Sequence, residues 1–276
     1  MKTKLLIIFF FTIGYFSFTQ TNFADHQPID SVNKAYRIAS GDLDGDGIVD
    51  LAVAGYDTGA VAYIKWYKHD GNGNFTATST SIVSSTIDDV DGLTIADIDC
   101  QHGTDIIATS QSQNKLVYYL SNGTGGFDTE VQVGGSIAYA GQVVAGDINM
   151  DGNVDIALVA YSEDKAMWFS GDGWGGFTAE TDIARGNTDG SGFWTIDIAD
   201  FDGDTDLDIL VGFYSSGIEI YYNQYIETGS ATFIKDIVSV YNVGFSYLVQ
   251  TSFADVNNDG LMDVVYVDNT TGDVVW

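Results

Sequence analysis

The sequence predicts an all-β chain: a β-propeller of four-stranded antiparallel blades, five in number and closed by the N-terminal strand. Three observations carry this expectation. A nine-residue aspartate-rich segment recurs five times, its first aspartates separated by 55, 50, 53 and 55 residues. A short apolar run follows every copy, and an aromatic residue stands at near-constant distance beyond it. Finally, no useful length of the chain keeps a helical period. Four short strands in a unit of about 50 residues make a propeller blade, whereas a row of sandwich domains needs about 100 residues each.

The elements follow in order. Residues 1–19 read as a secretory leader: Lys2 and Lys4 precede the apolar run 5–18, and small residues Ser17 and Thr19 stand at cleavage spacing. The run is too short for a membrane anchor and lacks a basic stop on its far side. The expected mature chain is 20–276, secreted or displayed at the cell surface, with no membrane insertion after cleavage. Of the 39 acidic residues in the full 276-residue sequence 34 are Asp and 5 are Glu, against 10 basic residues, giving a formal charge of −29. Such a field repels phosphate backbones and anionic membranes, which excludes nucleic acid as a partner. The single cysteine, Cys100, excludes internal disulfides and a cysteine-based zinc cluster.

The repeated segment begins as Asp42-Leu-Asp44-Gly-Asp46-Gly-Ile-Val-Asp50. Its later copies place Asp97, Asp99, Gln101 and Asp105, then Asp147, Asn149, Asp151 and Asp155, at positions one, three, five and nine. The fourth places Asp200, Asp202, Asp204 and Asp208 there, and the last Asp255, Asn257, Asp259 and Asp263. Strand-like runs follow at 51–54, 106–108, 156–160, 209–211 and 264–267, and then Trp66, Tyr118, Trp168, Tyr221 and Trp276, expected between blades. Glycine-rich turns lead on to Phe75, Phe127, Phe177 and Phe233. The stretch 23–29 matches the start of a fourth strand, while Trp276 falls inside a third. The N-terminal stretch is therefore expected to complete the last blade; the alternative is a piece of a longer repeat array.

Oxygen ligands at alternating positions of a tight loop suit a hard cation of calcium size. Glycine at position six permits the bend. An EF-hand would need Glu at position twelve, and here that position holds Val53, Ala108, Leu158, Val211 and Tyr266. The expectation is therefore up to five Ca2+ ions in β-hairpin loops. The loop at 97–105 should be the weakest, since Gln101 replaces an aspartate and its glycine slips to Gly103.

On these loops and Gly-Phe turns the chain resembles the FG-GAP/VCBS-type repeat family, best known from the propellers of integrin α subunits. The resemblance implies a calcium-stabilised extracellular propeller that binds proteins or glycans and is rarely catalytic. Thr205 at position six, the irregular second loop and five repeats in place of seven depart from that pattern, and the last weakens any transfer of integrin-like partners.

Other constellations are poorer. Cys100 and His102 lie inside a loop, and His26 and His69 assemble no Ser-His-Asp order or zinc spacing. What breaks the repeat is Trp174 at a turn tip, the pairs Phe193-Trp194 and Phe245/Tyr247 before inner strands, and the longer turn at 57–59. These residues form the expected ligand surface, although packing at the blade ends explains the two pairs equally well. Two functional classes remain: a non-catalytic binding or adhesion module for an extracellular glycan or protein, and a secreted polysaccharide lyase. A lyase needs a cation or arginine to neutralise a uronate. The mature chain has only Arg37 and Arg185, so the binding module is preferred.

Overall fold

The computed structural model describes residues 29–30, 33–56, 62–76, 82–84, 86–123, 125–186, 192–215, 217–236, 248–269 and 271–276. The leader, His26, the stretch 23–28, the turn 57–59, Phe245 and Tyr247 lie outside them.

Five antiparallel blades follow the repeat. The first has β1 (Asn33–Gly41), β2 (Asp50–Tyr56) and β3 (Ala62–His69), with two short strands, β4 (Phe75–Thr76) and β5 (Ile82–Ser84), both paired with β3. The second orders β6 (Val90–Ala96), β7 (Asp105–Ser110), β8 (Lys115–Tyr119) and β9 (Val131–Val133). The third repeats the split outer edge: β10 (Ala140–Gly146), β11 (Asp155–Ala160), β12 (Lys165–Gly171), then β13 (Phe177–Ala179) and β14 (Ala184–Arg185) on β12. The fourth has β15 (Phe193–Ala199), β16 (Asp208–Phe213), β17 (Ile218–Asn223) and β18 (Phe233–Lys235), with a short helix α1 (Tyr225–Thr228) between the last two. The fifth shows β19 (Leu248–Ala254), β20 (Asp263–Asp268) and β21 (Asp273–Val275) among the described residues.

Alternation along each strand sends apolar side chains to both faces, so successive blades stack on shared cores. Between the first two blades Ala52, Ala54, Ile64 and Trp66 meet Ile106, Ala108 and Tyr119. Tyr118 and Ile107 meet Ile156, Leu158 and Phe169 at the next seam, and Trp168, Ala157 and Val159 meet Ile209, Val211 and Tyr221 at the third. The inner strands pack in the order β1, β6, β10, β15, β19.

The recurring aromatics are not all equivalent. Trp66, Tyr118 and Trp168 pair with Ala52, Ile107 and Ala157 and face the following blade. The β16–β17 hairpin is one residue shorter, so Leu210 pairs with Ile220 and Tyr221 turns to the preceding blade. Trp276 follows the Tyr266–Val275 pair, which puts it in the register slot of Trp66, yet it is 66% exposed where Trp66 is 3%. No further blade covers that side among the described residues. Likewise Leu51 and Val53 are half-buried, whereas their counterparts Ile106 and Ala108 are buried.

Candidate metal centre

Each aspartate loop joins the innermost strand of a blade to its second strand. The first carboxylate folds the loop by accepting backbone N–H groups as an Asx turn. Asp42 takes those of Gly45 (2.8 Å), Asp46 (3.0 Å) and Gly47 (2.8 Å); Asp147 takes Asp151 and Gly152, Asp200 takes Gly203, and Asp255 takes Asp259 and Gly260. Positions four and six are left-handed in all five loops. They are Gly45 and Gly47, Cys100 and His102, Met150 and Gly152, Gly203 and Thr205, Asn258 and Gly260. The second loop therefore keeps the backbone of the others despite its sequence, with Cys100 and His102 exposed on its outside. Thr205, β-branched at φ 89°, is the strained member of the set.

The ninth position ties the loop to its blade. One oxygen accepts the N–H of position two in every copy: Leu43, Ile98, Ile148, Phe201 and Val256. The other accepts an N–H at or just beyond the end of the third strand, from His69, Ser121, Gly171 or Asn223. Asp50, Asp105, Asp155 and Asp208 are fully buried in this role. Burial pushes the Asp105 carboxyl up to about 7 and those of Asp155 and Asp208 up to about 6, and raises that of Asp50.

Three sets of carboxylates converge, each with ligand oxygens within 4.8 Å of one another: Asp42, Asp44 and Asp50; Asp97, Asp99 and Asp105; Asp200, Asp202 and Asp208. In the third and fifth loops Asn149 and Asn257 supply an amide oxygen at position three. All these donors are hard oxygens, and Asp44 Oδ1 is buried without a hydrogen-bond donor. Like charges held this close, partly out of water, call for a cation. The residues present fit one.

Position five stands outside these converging sets. Asp46 instead pairs with Lys68 Nζ (2.7 Å), which also contacts Asp44. Asp204 turns toward Asp206 and Glu227. Lys68 carried no sequence signal, since its approach depends on β3 running back beside the loop.

The proposed ligand residues separate. Trp174 is 77% exposed in the β12–β13 turn, which Asp172 closes by accepting the N–H groups of Trp174 (2.8 Å) and Gly176 (2.9 Å). This turn lies against the second aspartate loop, where Gly175 N–H donates to Ile98 O (3.2 Å) and Tyr118 Oη donates to Gly175 O (2.8 Å). Phe193 is core: it is 1% exposed and its ring packs at a tilt against Phe213. Its neighbour Trp194 alternates to the other face, within an aromatic group of Tyr139, Tyr161 and Tyr214 at the opposite end of the blades. The three tyrosines are scattered in sequence, and only the hairpin geometry gathers them.

The fold and these loops define the class, a β-propeller whose inner hairpins are each closed by an aspartate loop with oxygen-only donors. The chain belongs to the FG-GAP-like repeat family, which matches residues 16–100, 103–158, 147–211 and 200–266. No curated protein sequence matches it. Among solved structures it is similar to an Agrocybe aegerita lectin described as recognising non-reducing terminal N-acetylglucosamine. That match is 18% identical, covers 86% of this chain and 61% of the lectin, and has a TM-score of 0.60. It is also similar to the periplasmic gluconolactonase PpgL of Pseudomonas aeruginosa, 12% identical over 86% of this chain and 68% of that one, TM-score 0.53. At these identities the likeness is one of fold, and this chain spans less than two thirds of the lectin's length.

Proposed function

We propose that the protein is a secreted, calcium-binding propeller that acts as a non-catalytic binding or adhesion module for an extracellular glycan or protein. The observation that carries this reading is the exposed indole of Trp174 on a turn bonded directly to an aspartate loop. A cation held by Asp97, Asp99 and Asp105 fixes Ile98 between them, and through Ile98 O it steadies the turn that presents Trp174. A flat aromatic face standing clear of the surface stacks on a sugar ring or an apolar side chain. Ligand binding should therefore depend on calcium.

The chemistry available weighs against the lyase. Arg37 is engaged by Asp91 and Arg185 by Asp182, so each arginine of the mature chain already has an anionic partner. His69 Nε2 accepts the N–H of Gly73 (3.0 Å) and its ring stacks on Phe75, roles within a turn. Propellers serve both binding and catalysis, so the site decides. The test is a glycan array probed in calcium and in chelator, repeated with Trp174→Ala, beside an assay for unsaturated sugars released from acidic polysaccharides. Calcium-dependent binding lost in the variant supports the reading; robust turnover replaces it with the lyase.

A further inference from the structure

Blade four carries a feature that the other blades do not repeat. Position seven of its loop is an aspartate, Asp206, where the other loops have Ile48, Gly103, Asn153 and Leu261. Its β17–β18 connection is the helix α1, where the first three blades make glycine turns, and α1 brings Glu227 over the loop. The result is a second cluster: Asp204, Asp206 and Glu227 offer carboxylate oxygens within 4.8 Å of one another, apart from the set of Asp200, Asp202 and Asp208.

Acidic residues gather on many surfaces without a ligand, and this cluster differs from those in its buried oxygens. Asp206 is 0% exposed, and its Oδ2 accepts the N–H of Ile226 (3.2 Å). Its Oδ1 is buried with no hydrogen-bond partner, and so is Asp204 Oδ2. Asp204 Oδ1 is already used by the N–H of Asp206 (3.0 Å). Among the described residues no lysine or arginine pairs with any of the three carboxylates, in contrast to Lys68 at the first loop. Asp204 and Asp206 face each other side chain to side chain, and two buried carboxylate oxygens without another donor, with a third carboxylate beside them, are satisfied by a shared proton or by a metal ion between them.

We propose that Asp204, Asp206 and Glu227 form a further divalent-cation site, adjoining the site formed by positions one, three and nine of the same loop. Its all-oxygen donor set suits a hard ion such as calcium, and the exposed Glu227 leaves its outer side open to water ligands. The ion would lock α1 to the loop, holding the helix to the metal-bearing end of the blade.

The inference goes beyond the calcium-loop reading and can fail separately from it. The test is calcium stoichiometry by equilibrium dialysis and elemental analysis on the purified chain, comparing wild type, Glu227→Gln, Asp206→Asn, Asp202→Ala and the Glu227→Gln/Asp202→Ala double variant. Glu227 is exposed, so Glu227→Gln preserves the fold even where Asp206→Asn does not. Glu227→Gln should lose one equivalent of saturable calcium, Asp202→Ala a different one, and the double variant two. If Glu227→Gln binds as many ions as wild type while Asp202→Ala binds fewer, the second site is refuted and the loop reading stands. If wild type binds no calcium, both are refuted.

Discussion

Replacing Asp155 by asparagine separates two roles that one buried carboxylate holds together. Its Oδ2 accepts the N–H groups of Ile148 (2.8 Å) and Asn149 (3.1 Å), and its Oδ1 that of Gly171 (2.8 Å). Asparagine keeps one acceptor and turns an amide toward the remaining donors, leaving a buried N–H unmatched at a cost of about 1–3 kcal/mol. Burial, however, raises the Asp155 carboxyl from 3.8 to about 6. At neutral pH the ionised form therefore carries a penalty of roughly 3 kcal/mol that the amide escapes. The two effects oppose, so in chelator the variant should lie within about 2 kcal/mol of wild type. In calcium the balance is different. An ion at a hundredfold excess over its Kd stabilises the folded chain by about 2.7 kcal/mol. For a chain of this size each kcal/mol moves Tm by about 2–4 °C. The calcium-induced rise in Tm should shrink by about 5–10 °C in the variant, read by calorimetry in excess calcium and in chelator. Equal destabilisation in both media would refute the reasoning, since Asp155 would then be a hydrogen-bond hub and nothing more.

Three further outcomes are expected. Thr205→Gly should stabilise the chain by about 1 kcal/mol, because glycine takes φ 89° without the clash of a branched Cβ; an unchanged or lower melt contradicts the strain. In chelator, stability should rise as pH falls from 8 to 5. Asp105, Asp155 and Asp208 have folded values of about 7, 6 and 6, above the usual 3.8, so the folded state binds the extra protons in that window. In calcium the trend should flatten or reverse as protons displace the ion, and urea titrations across pH read both cases. Lys68→Met should lower the chelator melt by about 1–3 °C, having removed a half-exposed ion pair, while enlarging the rise on adding calcium because Asp44 and Asp46 are freed. A smaller rise would show that Lys68 assists the ion.

The blade period and the loops were legible because both are local. Aspartates at alternating positions fold their own backbone, and that folding survives even where Cys100 and His102 occupy the left-handed positions. Seams were legible as a pattern but not in register. Tyr221 keeps the sequence spacing of Trp168, yet a hairpin shortened by one residue turns it to the opposite face. For Phe193 and Trp194 the sequence left a ligand surface and packing at the blade end equally open, and strand alternation buries the first while leaving the second partly exposed. Lys68 and Glu227 reach the loops from separate turns, and no spacing along the chain announces that meeting.

The carbonyl at position two of a loop is clasped from the next blade. Ser121 Oγ donates to Leu43 O (2.9 Å), Gly175 N to Ile98 O (3.2 Å) and Asn223 Nδ2 to Ile148 O (2.8 Å). All three clasps run in the same chain direction, from a later blade back to an earlier loop. The assembly is thus polar, like a row of roof tiles each hooked on the one before. A loop that slackens releases the tile that follows it, and where its own hook is Ser121 or Asn223, whose N–H rests on the loop's ninth aspartate, it loosens that hook as well. Tension along the row would part it at the least firmly hooked seam, with the upstream blades still gripping one another. The order of nicking by a protease under progressive calcium depletion would then record the order in which the hooks let go.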